Sequence, residues 1–123
     1  METVSRSSLH SSPAARRLER ITGLIVERHD AGQGRFLFVG WLDGKPVVNA
    51  LAKGEKAAAN RFLEHNLRRI RTQKLREQKG RCADCARARP LQQHHKKKRS
   101  QGRDDRPENL ILLCAECHKF YDP

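Results

Sequence analysis

Two cysteine pairs, Cys82-x-x-Cys85 and Cys114-x-x-Cys117, separated by 28 intervening residues, constrain this chain more than any other feature. Two thiolates three positions apart on a tight turn reach one side of a tetrahedral ion, and a second such pair closes the other side. Four cysteines without a secretory leader favour a metal over disulfides, so a reducing, cytoplasmic setting is expected. A closed shell of Cys82, Cys85, Cys114 and Cys117 has no open coordination position, which makes the expected Zn²⁺ structural. Redox-active dithiols are the competing reading, and the pairing of a second CxxC argues against them. Ligation would also answer a difficulty of composition. Only 37% of the 123 residues are hydrophobic and 33% are charged, so the core must be small, and metal binding contributes folding free energy directly.

The formal net charge of +12, with a pI near 10.3, fits a polyanionic partner such as nucleic acid. A solvated basic surface accounts for the charge equally well. Apolar runs such as Ile111-Leu112-Leu113 are far too short to span a membrane, so no membrane association is expected. Residues 1–20 are Ser- and Arg-rich and read as a disordered basic tail. Within 21–79, three β-rich stretches, Ile21 to Glu27, Arg35 to Trp41 and Lys45 to Leu51, predict an antiparallel β-meander. The Asp43-Gly44 pair is a two-residue hairpin signal, and Pro46, which lacks an amide hydrogen, means that the third strand begins on an edge or outside the ladder. From about Gly54 to Lys79 the recurrence of Ala59, Leu63, Leu67 and Ile70 predicts a helix with one apolar face. Its other sides carry Arg61, Arg68, Arg69, Arg71, Lys74, Arg76 and Lys79, which suit either a phosphate backbone or a solvated face. Trp41, Phe36 and Phe38 read as meander core rather than as a base-stacking platform.

The cysteine frame, from 80 to 123, encloses a more specific pattern. Leu91 to His95 can run as a strand out of the first knuckle, and adjacent side chains on a strand point oppositely. His94 and His95 therefore cannot share one task. A polar loop leads to Asn109 and the run Leu110 to Cys114, and His118 follows the last cysteine. The residues His94-His95, Arg99-Ser100, Gly102, Asp105, Asn109-Leu110, Leu113-Cys114 and Cys117-His118 resemble the HNH endonuclease signature, over about Arg81 to Asp122.

The resemblance implies a zinc-stapled ββα-metal module, which makes the whole chain α+β. It implies His94 and His118 as ligands of a catalytic divalent metal, and His95 as general base. Asn109, on the second strand of the hairpin, would hold the loop and orient His95. Arg99 would meet a phosphate or steady the loop. The implied reaction is phosphodiester hydrolysis, with DNA the expected substrate and a 5′-phosphate and 3′-hydroxyl as ends. Three positions depart from the family pattern. Asp122 stands where His is frequent; as a carboxylate it would favour Mg²⁺ or Mn²⁺ over Ni²⁺ or Zn²⁺, although it precedes Pro123. Lys96 and Lys98 replace an apolar residue and a proline, so Lys96, Lys97, Lys98 and Arg99 form a cationic run suited to a phosphate backbone. Arg103 replaces a glycine, and if that backbone needs positive φ the residue is strained and the loop differs. The competing class is a non-catalytic zinc module that binds DNA or RNA, which would need the cysteines and cations but not the histidines and Asn109 together.

Overall fold

A serine, a proline and a glycine set the limits of the first helix in the computed structural model, which describes residues 12–98 and 101–121. In α1 (Pro13–Thr22) the Ser12 side chain accepts from the Ala15 amide, Pro13 sits in the first turn, and Gly23 closes the helix at φ 75°. Ala15, Leu18 and Ile21 recur every third residue and are buried. Residues 13–20 are thus helix, a correction to the disordered tail expected there. The apolar face was hidden by the Ser and Arg residues around it. Residues 1–11 lie outside the described residues. The strand expected from Ile21 starts later, at Ile25, because Ile21 and Thr22 belong to α1.

Strands β1 (Ile25–Gly32), β2 (Arg35–Leu42) and β3 (Lys45–Lys53) form the expected antiparallel meander in the order β1-β2-β3. Asp43 and Gly44 both take positive φ, 52° and 77°, as a tight hairpin of this kind requires. Pro46 lies on the edge strand, opposite Trp41, where the register shifts. Helix α2 (Glu55–Glu77) follows Gly54. The chain divides inside this helix, between Asn66 and Leu67, into two compact units. That lies upstream of the boundary expected between 79 and 80.

In the first unit, Ala58, Ala59, Phe62 and Leu63 of α2 join Leu18, Leu24, Val26, Phe38, Val48 and Ala50 in one core. Phe38 and Phe62 meet edge to face, 6.3 Å between centroids. Phe38 is fully buried and Phe36 packs at the rim of the core, under the Arg28 guanidinium. Phe62 reaches the sheet only because position 40 has no side chain. A Cβ there would lie 2.7 Å from Phe62 Cζ and 2.9 Å from Leu24 Cδ1.

In the second unit, α2 ends with Lys79 and Gly80 at positive φ and the Gly80 amide bonded to the Leu75 carbonyl at 2.9 Å. The Gln78 amide then reaches β5 (Leu110–Cys114), donating to the Leu112 carbonyl at 3.1 Å and accepting from its N–H at 3.3 Å. Strand β4 (Leu91–His95) pairs antiparallel with β5, His95 opposite Leu110 and Leu91 opposite Cys114. A single 3₁₀ turn, Pro107–Asn109, leads into β5, and α3 (Ala115–Tyr121) follows it directly. Leu91, Leu112 and Leu113 are buried with Cys82, Cys114 and Cys117, while Leu75 and Ile111 pack against them. Among the described residues, no helix is long and apolar enough to cross a membrane.

Gly40→Ala is expected to destabilise the first unit by about 1–3 kcal/mol, because Phe62 and Leu24 must both yield. Thermal melts of the two proteins, followed by the near-ultraviolet signal of the aromatic core, check this; an unchanged melting temperature would contradict the packing described.

Candidate functional site

The two knuckles are built by local backbone geometry. After α2 the chain turns so that the Cys82 N–H donates to the Arg87 carbonyl at 3.0 Å and the Ala86 N–H to the Cys82 carbonyl at 2.9 Å. Ala86 pays for this reversal with φ 63°. The Ala83 amide bonds to the Leu112 carbonyl at 3.1 Å, which lays the knuckle against β5. The second pair spans the junction of β5 and α3, Cys114 ending the strand and Cys117 lying on the helix.

The four sulfurs lie within 4.8 Å of one another, and Cys85 Sγ and Cys114 Sγ are 3.8 Å apart. Tetrahedral Zn–S bonds of about 2.3 Å place sulfurs roughly 3.8 Å apart, so the donor set and spacing suit zinc. Burial raises the Cys82 thiol, but backbone amides around its sulfur, including the Cys114 N–H at 3.4 Å, outweigh that and bring it down to about 6. Burial and hydrogen bonds with the other sulfurs push Cys117 well up. Four sulfurs this close resist ionising together, and a bound cation removes that conflict.

On β4 the two histidines part company, as alternation demands. The His94 ring lies against the His118 ring of α3, edge to face at 4.9 Å between centroids. His95 Nε2 lies 2.8 Å from Asp105 Oδ1. The His95 side chain is 15% exposed and that of Asp105 is 0% exposed, so this contact is largely dry.

The loop between the strands is held from inside. Asn109 lies in the 3₁₀ turn just before β5, not on the strand where it was expected. Its Oδ1 accepts from the Lys97 amide at 2.8 Å, its Nδ2 donates to the Asp104 carbonyl at 2.7 Å, and its carbonyl accepts from the Lys96 amide at 2.8 Å. Asp104 accepts from the Arg106 backbone and guanidinium, and that pairing holds its carboxyl down to about 2. Lys96, Lys97 and Lys98 are exposed. Gly102 takes positive φ, 107°, and Arg103 does not, so the residue standing in place of a glycine carries no such strain. Arg99 and Asp122 lie outside the described residues.

The structure thus brings His94 to His118, gathers the four cysteines, and ties Asn109 to the loop beside His95. Sequence reasoning gave no role to Asp105, Asp104 or Gln78. Asp105 stood within the recognised pattern, and its order after Gly102 and before Asn109 was the available signal. Gln78 had none, because its partners on β5 are remote in sequence.

An α+β unit in which a cysteine-cornered β-hairpin and short helix carry paired histidines is the class that fold and site define. Residues 81–121 match the family model described as HNH endonuclease, about a third of the chain. No curated protein and no solved structure matches the chain. The family match supports a nuclease-type or nucleic-acid-related role.

Cys82→Ser is expected to abolish tight zinc binding and to unfold the second unit, because one missing thiolate opens the shell. Zinc stoichiometry measured together with amide exchange across β4 and β5 checks this; a folded, zinc-free variant would contradict it.

Proposed function

We propose that this protein is a metal-dependent HNH endonuclease that hydrolyses phosphodiester bonds in DNA, with His95 as general base and His94 and His118 as ligands of a divalent metal. The observation that carries this reading is the division of labour on β4. His94 meets an imidazole from α3, and His95 meets a carboxylate on the loop, within the segment matched by the family. A non-catalytic zinc module has no use for that division.

His94 and His118 offer neutral nitrogen donors, and Asp122 is the candidate for a third, oxygen donor. Mg²⁺ or Mn²⁺ fits such a mixed set when the carboxylate takes part; Ni²⁺ or Zn²⁺ fits the imidazoles alone. When bound, the metal supplies Lewis-acid polarisation of the phosphate and charge stabilisation of the leaving oxygen. The remaining work falls to the chain. An imidazole nitrogen that keeps its lone pair can take a proton from water, and that is the role proposed for His95. The water oxygen bonds to phosphorus as the P–O3′ bond breaks. The products are a 5′-phosphate and a 3′ oxygen that acquires a proton from solvent.

Lys96, Lys97, Lys98 and Arg99 follow the base directly in sequence and are proposed to grip the phosphate backbone. From Leu67 onward, Lys and Arg outnumber Asp and Glu by 16 to 7, so most of the +12 charge lies in the unit that carries the histidines. Backbone contacts position but do not read sequence, so cleavage of low sequence specificity is proposed. Thiolates kept for zinc accord with a reducing, cytoplasmic setting.

Purified protein incubated with supercoiled plasmid and Mg²⁺, Mn²⁺, Ni²⁺ or no added metal is expected to nick or linearise it only with metal. His95→Ala should lower the rate by at least ~10²-fold, with zinc content unchanged and the fold retained. Tight DNA binding without cleavage under every metal would instead favour the non-catalytic module.

A further inference from the structure

The polar cluster around Asp105 contains more than the reaction above requires. Asp105 is fully buried, 0% exposed, on a loop where neighbouring carboxylates face solvent or an exposed arginine. Its two oxygens have separate partners. Oδ1 meets His95 Nε2 at 2.8 Å, while Oδ2 accepts from both Nε and an Nη of Arg103, each at 2.9 Å. Arg103 is the residue that stands where the family pattern has a glycine. Its side chain is 28% exposed, so the outer end of the chain His95–Asp105–Arg103 reaches the surface while the middle is dry.

We infer that Asp105 is a positioning residue for His95, fixing the ring's tautomer and orientation, and that Arg103 clamps Asp105 in the pose that does so. This rests on the reading of His95 as general base. Burial works to raise the Asp105 pKa, but the hydrogen bonds from His95 and Arg103 and the charge of Arg103 outweigh it, so the carboxyl is ionised. An ionised carboxylate only accepts. At 2.8 Å from it, Nε2 must therefore carry a hydrogen. In the neutral ring Nδ1 is then left as the nitrogen with the lone pair, and only that nitrogen can receive a proton from water. A ring of the opposite tautomer would set its Nε2 lone pair against the Asp105 charge and would offer water a donor instead of an acceptor.

Rotation of the ring is resisted as well. Flipping His95 about its Cβ–Cγ bond would break a charge-assisted hydrogen bond within a nearly dry contact. Arg103 restrains the other side of the carboxylate with two donors of fixed relative geometry, which a lysine cannot reproduce. A long cation at position 103 thus does two things that glycine cannot. It neutralises a buried carboxylate, and it holds Oδ2 with two donors while Oδ1 meets the imidazole.

The test reads the tautomer directly and does not depend on cleavage. Full-length, zinc-loaded protein with ¹⁵N-labelled histidine is expected to show His95 in its neutral form with the proton on Nε2. In Asp105→Asn the amide can donate to Nε2 or accept from it, so the two tautomers should mix. The same substitution should lower kcat for plasmid cleavage by on the order of 10²-fold or more, with KM for DNA nearly unchanged, since Asp105 is buried away from substrate. Arg103→Gln, which removes the clamp but keeps both His95 and Asp105, should show a smaller fall in kcat, and Arg103→Lys should recover only part of it.

A wild-type His95 protonated on Nδ1 would overturn the inference without any variant. So would an Asp105→Asn protein with unchanged ring signals and unchanged kcat. Should Asp105→Asn fail to fold, the wild-type spectrum and the two Arg103 variants still decide the matter. An Nε2–H ring in a protein that cleaves nothing would uphold the Asp105 pairing and refute the general-base reading, so the two failures are distinguishable.

Discussion

The sulfur cluster is the constraint on which the second unit depends. Its apolar core is small: Leu91, Leu112 and Leu113 cluster with the cysteines themselves, Leu75 and Ile111 pack alongside, and Ile70 and Leu110 are buried as well. Burial on that scale does not offset the conformational entropy of ordering the hairpin, its long loop and a short helix. A cation on Cys82, Cys85, Cys114 and Cys117 would supply the missing cohesion. It would do so where three elements meet: the turn after α2, the end of β5 and the start of α3. Because His118 directly follows Cys117, any displacement of that corner is passed to the His94–His118 contact. A zinc ion on the cysteines and the proposed chemistry at the histidines would be coupled through geometry, not through shared chemistry.

A second principle divides the site. Neighbouring side chains on a strand project to opposite faces, and β4 uses this to give adjacent histidines different surroundings. His94 faces α3, while His95 faces the loop, where a buried carboxylate receives it. The loop keeps its shape by hydrogen bonds and not by apolar packing. Asn109 ties the two sides of the loop at Lys96, Lys97 and Asp104, and the Asp104–Arg106 pair forms a turn within it. Loops that present polar groups to a charged substrate cannot rely on a hydrophobic interior, and internal side chain–backbone bonds are the available substitute.

Legibility followed the range of the interactions involved. The Asp43-Gly44 hairpin, the edge placement of Pro46, strand β4 and the cysteine cluster could all be read because spacing and backbone preference are local. Helix α1 was missed, since its three buried positions are scattered among Ser and Arg and its cap lies in a stretch that resembles a tail. The register between β4 and β5, the Gln78 bonds to β5 and the burial of Asp105 depend on partners remote in sequence, which periodicity does not encode. Arg103 is the instructive case. Considered as a replacement for glycine, it suggested backbone strain; in the fold it has no positive φ, and its value lies in its side chain.

The proposed chemistry requires the His94–His118 pair to be a divalent-metal site separate from the cysteines. Titration of zinc-loaded, ¹⁵N-histidine-labelled protein with Mn²⁺ tests this most directly, because paramagnetic broadening falls steeply with distance from the ion. The ring signals of His94 and His118 should disappear first, ahead of those of His29 and His65 in the other unit, while the zinc stays bound. Broadening that begins at His29 or His65, or that reaches His94 and His118 only as Mn²⁺ displaces zinc, would contradict the account.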